Sequence, residues 1–204
     1  MLYKSILNVV GVIMVVIAVM FIGCGGNDDD NDDGGGKGSD IGNYKTVMIG
    51  TQRWMAENLD NAIAGSVCYD SLSSNCTKYG RLYTWEAANR ACPAGWHLPV
   101  DAEWTALTDF VGGRETAGTK LKAASGWNNN GNGTDNYGFS ALPGGYGWSD
   151  GGFSYAGDRG GWWSATENDA YSAWYRGMSY ELEYVGKDNN YKTLMLSVRC
   201  VQDN

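Results

Sequence analysis

The stretch CPAGWHLPVDAEW, residues 92–104, sits where two helical patterns meet, and the chain can be read outward from it in both directions. On its N-terminal side Thr84 is placed to cap a helix over 85–91, with Trp85, Ala88 and Cys92 sharing one face. On its C-terminal side Asp101 is placed to cap a second helix over 102–111, with Trp104, Leu107, Phe110 and Val111 turned inward. Upstream, YKTVMIG (44–50) and TQRWMAENL (51–59) alternate on both sides of a glycine, the pattern of a hairpin. Beyond Gly112 helical periodicity fades. Glycine-broken aromatic segments follow, GWNNNGNGTDNYGFSALPGGYGWSDGGF (126–153) and GGWWSATE (160–167), and then two strand-like runs, AWYRGMSY (173–180) and LMLSVRCV (194–201). Hairpin, helix, helix, long loops and strands make an α+β chain in which two helices accompany small antiparallel sheets.

The 204 residues suit one ordinary domain with appendages, and 43% hydrophobic with 13% aromatic residues is too apolar for a wholly disordered chain. A formal charge of -8 repels phosphate backbones and anionic head groups, so nucleic acid is excluded as a partner class. The appendages lie at the N-terminus. Lys4 precedes an apolar run from Ile6 to Ile22, the layout of a signal peptide over residues 1–23. The flank Phe21-Ile22-Gly23-Cys24 is similar to a bacterial lipobox, which implies acylation of Cys24 and a membrane partnership through that lipid; an uncleaved anchor is the alternative. Residues 24–43 are rich in Gly and Asp, bury nothing and read as a flexible acidic tether. The acidic cluster behind the cysteine resembles the surface-export signal of Bacteroidota lipoproteins, although a plain solvated spacer has the same composition. The expected location is the outer membrane, at the cell surface, with the domain proper spanning 44–204.

With Cys24 set aside, Cys68, Cys76, Cys92 and Cys200 form an even set for an oxidising compartment, and four cysteines allow three pairings. The favoured pairing joins Cys68 to Cys76, closing the polar loop CYDSLSSNC, and Cys92 to Cys200, tying the middle of the domain to its end. In the chain-entropy account the short loop contributes about 2.6 kcal/mol and the long one about 4.8 kcal/mol. A metal cluster is the weaker reading, because none of the four stands in a C-x-x-C pair and the single histidine, His97, is not at ligand spacing from them.

Seven segments carry a family resemblance: WMAENL (54–59), YGRLYTWEAA (79–88), CPAGWHLPVDAEW, AGTKLK (117–122), GTDNYGFSALPGGY (133–146), GGWWSATE and SVRCV (197–201). Together they resemble the Fibrobacter succinogenes major paralogous domain over nearly all of 44–201. The resemblance implies a C-type-lectin-like fold: two helices flanking a small antiparallel sheet, long irregular loops, and termini brought together. A bridge from Cys92 to Cys200 is what that fold leads one to expect. The family has no established activity, so it implies a scaffold and little chemistry.

Three uses of the scaffold follow. The first is a non-catalytic surface module for ligand binding or adhesion, its partner a protein or polysaccharide. Tyr and Trp supply rigid amphipathic contact area, and 146–191 holds four tryptophans and seven tyrosines among Ser, Asn, Asp and Gly. Trp54, Trp85, Trp96, Trp104, Trp162 and Trp163 are assigned to the core. Tyr171, Trp174, Tyr180 and Tyr184, with Arg176 as polar partner, are the expected ligand contacts, and Trp148 and Tyr155 the reserve. The scaffold resembles that of target proteins of diversity-generating retroelements, which vary their C-terminal part. The second use is an enzyme. GWHLPVDAEW is similar to a stretch of formylglycine-generating enzyme relatives, but their oxidation needs a cysteine pair near the C-terminus, where Cys200 stands alone. His97, between Trp96 and Leu98, suits a packed structural role, and catalysis is not expected. The third is a calcium-assisted lectin. Asn128, Asn130, Asn132 and Gly133, with Asp135, match the start of a calcium loop, yet Phe139 stands where an EF-hand loop places its glutamate. An Asn-Gly loop held by its own turns has the same sequence. Calcium is the one cofactor left open.

Overall fold

The structure is a computed structural model that describes residues 39–41 and 44–203; the signal segment, Cys24 and most of the acidic tether lie outside the described residues. The chain forms β1 (Ser39–Ile41), β2 (Tyr44–Ile49), β3 (Gln52–Met55), β4 (Ser66–Val67), α1 (Ser73–Tyr79), β5 (Leu82–Tyr83), α2 (Trp85–Ala91) and β6 (Trp96–His97). It continues through α3 (Asp101–Phe110), α4 (Arg114–Leu121), β7 (Gly144–Gly147), β8 (Phe153–Ala156), β9 (Arg159–Glu167), β10 (Ser172–Ser179), β11 (Gly186–Tyr191) and β12 (Val201–Gln202). The fold is mixed α+β. No helix among the described residues is long and apolar enough to cross a membrane.

Two five-stranded sheets organise it, one ordered β1-β2-β3-β12-β6 and the other β11-β10-β9-β7-β8, with β4-β5 a separate pair. In the first sheet the last strand returns to the first hairpin, Val201 opposite Trp54 and His97, so the two ends of the domain meet. Both expected disulfides are present, Cys68–Cys76 and Cys92–Cys200, the latter with Cα atoms 5.9 Å apart. The 44–59 hairpin forms as its alternation requires, Val47 opposite Trp54 and Ile49 opposite Gln52.

Four expectations are corrected. Residues 39–41, read as tether, pair as β1 against β2. Two more helices exist than the two expected. α1 begins inside the short disulfide loop and runs on past Cys76 to Tyr79. α4 escapes notice because it buries only Ala117, Gly118 and Leu121, a stripe too small and too weakly apolar to show as periodicity. Asp101 is the first residue of α3 rather than its cap. Val100 stands at the N-cap, and the Glu103 carboxylate accepts its N–H at 2.8 Å. Phe110 is exposed, because Trp104, Leu107, Thr108 and Val111 form the i, i+3, i+4, i+7 stripe of α3 and Phe110 falls outside it. The Thr84 cap of α2 is present, its hydroxyl accepting the Ala87 N–H.

Strand β9 divides the interior. Successive strand residues point to opposite faces, so the pair Trp162-Trp163 delivers one indole to each of two apolar clusters. Trp162 joins Trp54, Trp104 and Phe139, with Trp54 and Trp104 ring centroids 4.8 Å apart. Trp163 joins Met55, Leu59, Tyr83, Leu196 and Val198. Both indoles are satisfied, Trp163 donating to the Tyr83 carbonyl at 2.8 Å and Trp162 to Asn58 Oδ1 at 2.9 Å. Trp85 and Trp96, assigned to the core, are only partly buried at its margin.

Where the shared motifs meet is a polar knot. Arg199 is fully buried. Its Nε donates to Asn58 Oδ1 at 2.8 Å, and its two terminal nitrogens donate to the carbonyls of Met55, Phe139 and Ser140. Asn58 in turn donates to the Tyr79 carbonyl at 2.8 Å. Burial pushes the guanidinium pKa down to about 9, which still leaves it charged at neutral pH; the charge is held by oriented oxygens in place of water. One side chain therefore ties WMAENL, GFSALP and SVRCV together.

Candidate functional site

The outer part of the second sheet is the place where side chains gather around open space. Opposite one another in the β10–β11 pair stand Gly177 and Gly186. With no side chain at either position the sheet surface drops, and a groove of about 400 Å³ opens there. A Cβ at Gly177 would come no closer than 3.4 Å to Tyr175, and one at Gly186 no closer than 3.5 Å to the Gly177 carbonyl, so neither glycine is required by crowding. Tyr175 and Tyr184 line the groove together with the buried Tyr146. Tyr175 stacks edge-on against Trp163, at 6.3 Å, which fixes its ring to the core.

Tyr184 is fixed from behind. Gly118 of α4 lies so close to the backbone at Glu183 and Tyr184 that a Cβ there would be 2.6 Å from both carbonyl oxygens. Thr119 N–H donates to the Glu183 carbonyl at 3.0 Å, and Val185 N–H to the Arg114 carbonyl at 3.0 Å. The motif AGTKLK is thus a backbone-to-backbone clamp on the segment that carries Tyr184.

Charged groups border the groove: Arg114, Arg159 and Lys187 against Glu181 and Asp188. Several are already engaged. Lys187 Nζ is 2.8 Å from Asp101 Oδ2 and lies 4.5 Å over the Trp174 ring. Glu181 accepts the Tyr180 hydroxyl at 2.7 Å. Arg114 meets Glu115 at 3.4 Å, an exposed pair of little energetic weight. Arg159 makes no ion pair among the described residues. Its guanidinium lies 4.7 Å over the ring of Tyr155 and offsets part of the upward pKa shift that burial gives the Tyr146 hydroxyl. Tyr155 holds φ at +70°, a left-handed conformation that a bulky residue rarely adopts. Burial raises the Tyr175 hydroxyl pKa, Asp188 raises it further, and Arg159 pulls the other way. That hydroxyl therefore feels both charges.

The expected ligand residues are dispersed. Tyr184 lines the groove, and Tyr155 reaches its border through Arg159. Tyr171 is 77% exposed, in a separate depression with Asp169 and Tyr191. Tyr180 packs on the first core cluster and against Gly131. Trp174 is half-buried under Lys187. Trp148 borders another pocket, of about 380 Å³, with Phe153 and Met195. Arg176 is the clear correction. It is 3% exposed, its Nη2 sits 2.7 Å from Asp101 Oδ1, and it cannot meet a ligand because alternation along β10 turns it inward beside Met178. Asp101 holds both Arg176 and Lys187. Burial raises its pKa, but hydrogen bonds from Lys187 and Arg176 outweigh that and leave it below the ordinary carboxylate value. Tyr175, Arg159 and the glycine pair were missed by sequence reasoning, and the only signal for them was the strand alternation that also hid Arg176.

The loop singled out for calcium is held by its own bonds. Residues 128–130 form a 3-10 turn with Asn129 and Asn130 left-handed. Asn132 Oδ1 accepts the Trp127 N–H, Asn128 donates to Asp158, and the Asp135 carboxylate accepts both the N–H and hydroxyl of Ser140. Among the described residues no group of three His, Cys, Asp or Glu is placed to hold a metal ion. His97 is gripped at both nitrogens, 2.7 Å from Asp203 and 2.9 Å from Glu103. Burial lowers its pKa, the two carboxylates raise it by more, and the net shift is upward.

The profile of the Fibrobacter succinogenes major domain matches residues 47–202, most of the chain. The chain belongs to this family. No curated protein and no solved structure matches it. The matched span takes in the Asn58–Arg199 knot, the Gly118 clamp and the groove residues Tyr175, Tyr184, Lys187 and Asp188 alike.

Proposed function

We propose that this member of the Fibrobacter succinogenes major domain family is a non-catalytic ligand-binding module on a C-type-lectin-like scaffold. It is displayed at the cell surface by a lipid on Cys24 in the outer membrane, and its ligand lies in the β10–β11 groove. The observation that carries the reading is the groove itself: tyrosines locked from behind, charges at the border, and a floor of two glycines that crowding does not demand. Rigid Tyr surfaces give contact area with little ordering cost. The adjacent termini and the Cys92–Cys200 bridge support the lectin-like scaffold. A binding role without catalysis is supported by chemistry already committed to structure. The four described cysteines are disulfide-bonded, and His97 is held by two carboxylates.

The test is a glycan array and a pull-down run with the full chain and with Gly177→Ala/Gly186→Ala, which lifts the groove floor by two methyl groups. Loss of at least tenfold in affinity at unchanged melting temperature is expected. Binding that persists undiminished in the variant would place the site elsewhere.

A further inference from the structure

We infer that the groove takes an acidic saccharide, a sugar ring bearing a carboxylate, with Arg159 receiving the carboxylate and Asp188 the ring hydroxyls. The inference rests on the groove being the binding site and concerns what enters it. Arg114 and Arg159 border this groove against Glu181 and Asp188, while Lys187, opposite Arg176 in register, turns its charge to Asp101 on the other face. Removing the engaged groups sharpens the point. Lys187 belongs to Asp101 and Glu181 to the Tyr180 hydroxyl. Among the described residues Arg159 and Asp188 have no ion-pair partner, Asp188 accepting the Asn189 N–H at 2.8 Å, and the Tyr175 hydroxyl feels both.

Arg159 is presented rather than merely exposed. The Tyr155 ring lies against it at 4.7 Å, and Tyr155 itself holds a left-handed backbone conformation, so the guanidinium sits on an aromatic face with the donors of a planar fork available to a carboxylate. A carboxylate such as Asp188 accepts from neighbouring hydroxyls, and the tyrosine rings offer flat apolar surface for the C–H face of a sugar. A phosphate monoester, with more negative charge than a carboxylate, would be repelled more strongly by Asp188 and Glu181. A neutral sugar would leave the Arg159 fork without a charged acceptor. An acidic peptide would need pockets for side chains, and the only apolar groups at the groove besides the tyrosines are Met178 and Leu182.

The experiment titrates the full chain with oligomers of glucuronate and galacturonate and, in parallel, with glucose and galactose oligomers of the same length, at low and physiological salt. A preference of at least tenfold for the acidic member of each pair is expected, since a charge-assisted bidentate contact is among the strong hydrogen bonds. Arg159→Gln should erase that preference without changing the melting temperature, and Asp188→Asn should weaken both members alike. Equal affinity for acidic and neutral oligomers, with sensitivity to Gly177→Ala/Gly186→Ala retained, would overturn the acidic-sugar inference and keep the groove. Binding of poly-glutamate or of a free amino acid as strongly as of glucuronate oligomers would overturn the saccharide. Failure of all acidic sugars to bind would overturn the inference. Acidic-sugar binding indifferent to the glycine variant would overturn the groove itself.

Discussion

The Asn58–Arg199 knot and the β10–β11 groove both present arginine to oxygen, and they do so to opposite ends. At the knot all three nitrogens of Arg199 donate to carbonyl oxygens of the protein, the side chain is sealed, and its partners come from segments far apart in the chain. At the groove Arg159 lies over the Tyr155 ring and makes no ion pair among the described residues, and its neighbours come from one local stretch of sheet. Substitution is costly at the first kind of site and cheap at the second. Cooperative networks in low dielectric tolerate little loss, whereas exposed groups in solvent tolerate a great deal.

The sharpest way to break this contrast is Arg199→Met. It removes the arginine donor from three carbonyls and leaves Asn58 Oδ1 with Trp162 alone, and a cost of about 3–5 kcal/mol is expected, seen in denaturant titration and as a fall of about 10 °C or more in melting temperature. A fall of under two degrees, by about the same scale, would mean the knot organises nothing. Next in size is Asp101→Asn, which leaves the buried Arg176 without its carboxylate and should cost about 1–3 kcal/mol at neutral pH. Because the folded pKa of Asp101 lies below the unfolded one, its contribution is present above the ordinary carboxylate pKa and disappears as pH falls through the lower folded value. Stability curves of wild type and variant should therefore converge in acid, and a gap that persists there would assign the effect to packing.

His97→Gln is smaller and has the opposite sign of pH dependence. Its folded pKa is raised, so its contribution is fully present below the ordinary imidazole pKa and is lost as pH rises through the folded value. The difference in melting temperature should be larger at pH 5 than at pH 9; an equal difference would leave the two carboxylates without electrostatic effect. The smallest effect belongs to the exposed face. Tyr171→Ala should shift stability by no more than about 0.5 kcal/mol. Tyr180→Ala should cost more, since Tyr180 packs on the core cluster. If the two are equal, the line between core and display face is drawn in the wrong place.

The interior was legible because hydrophobic pattern and motif order constrain it directly. Trp54, Trp104, Trp162 and Trp163 read as core, the β2–β3 hairpin, the α2 cap and the Cys68–Cys76 bridge follow from local sequence, and the Cys92–Cys200 bridge from the even cysteine count and the family resemblance. Helix α4 was illegible because its reason for existing is the backbone of residues 183–184, which a local window around Gly118 cannot see. The groove was illegible for a related reason. Tyr171, Trp174, Tyr180 and Tyr184 are alike as letters, but register decides which of them meets open space. The slip between Ala173 and Tyr175 opposite β9 is not written in either strand alone. Arg176 shows the same limit, since its fate is set by Asp101 across the fold.

Gly118 has a thermodynamic consequence for any ligand that enters the groove. The wall carrying Tyr184 is held by backbone hydrogen bonds to α4 and by contact too close for any side chain, so it is already in its working position before encounter. Association then leaves translational and rotational freedom, together with the ligand's own torsions, as the main entropic losses, because the receptor has little disorder left to surrender. A residue that touches no ligand thus sets part of the affinity, through what the protein no longer has to lose.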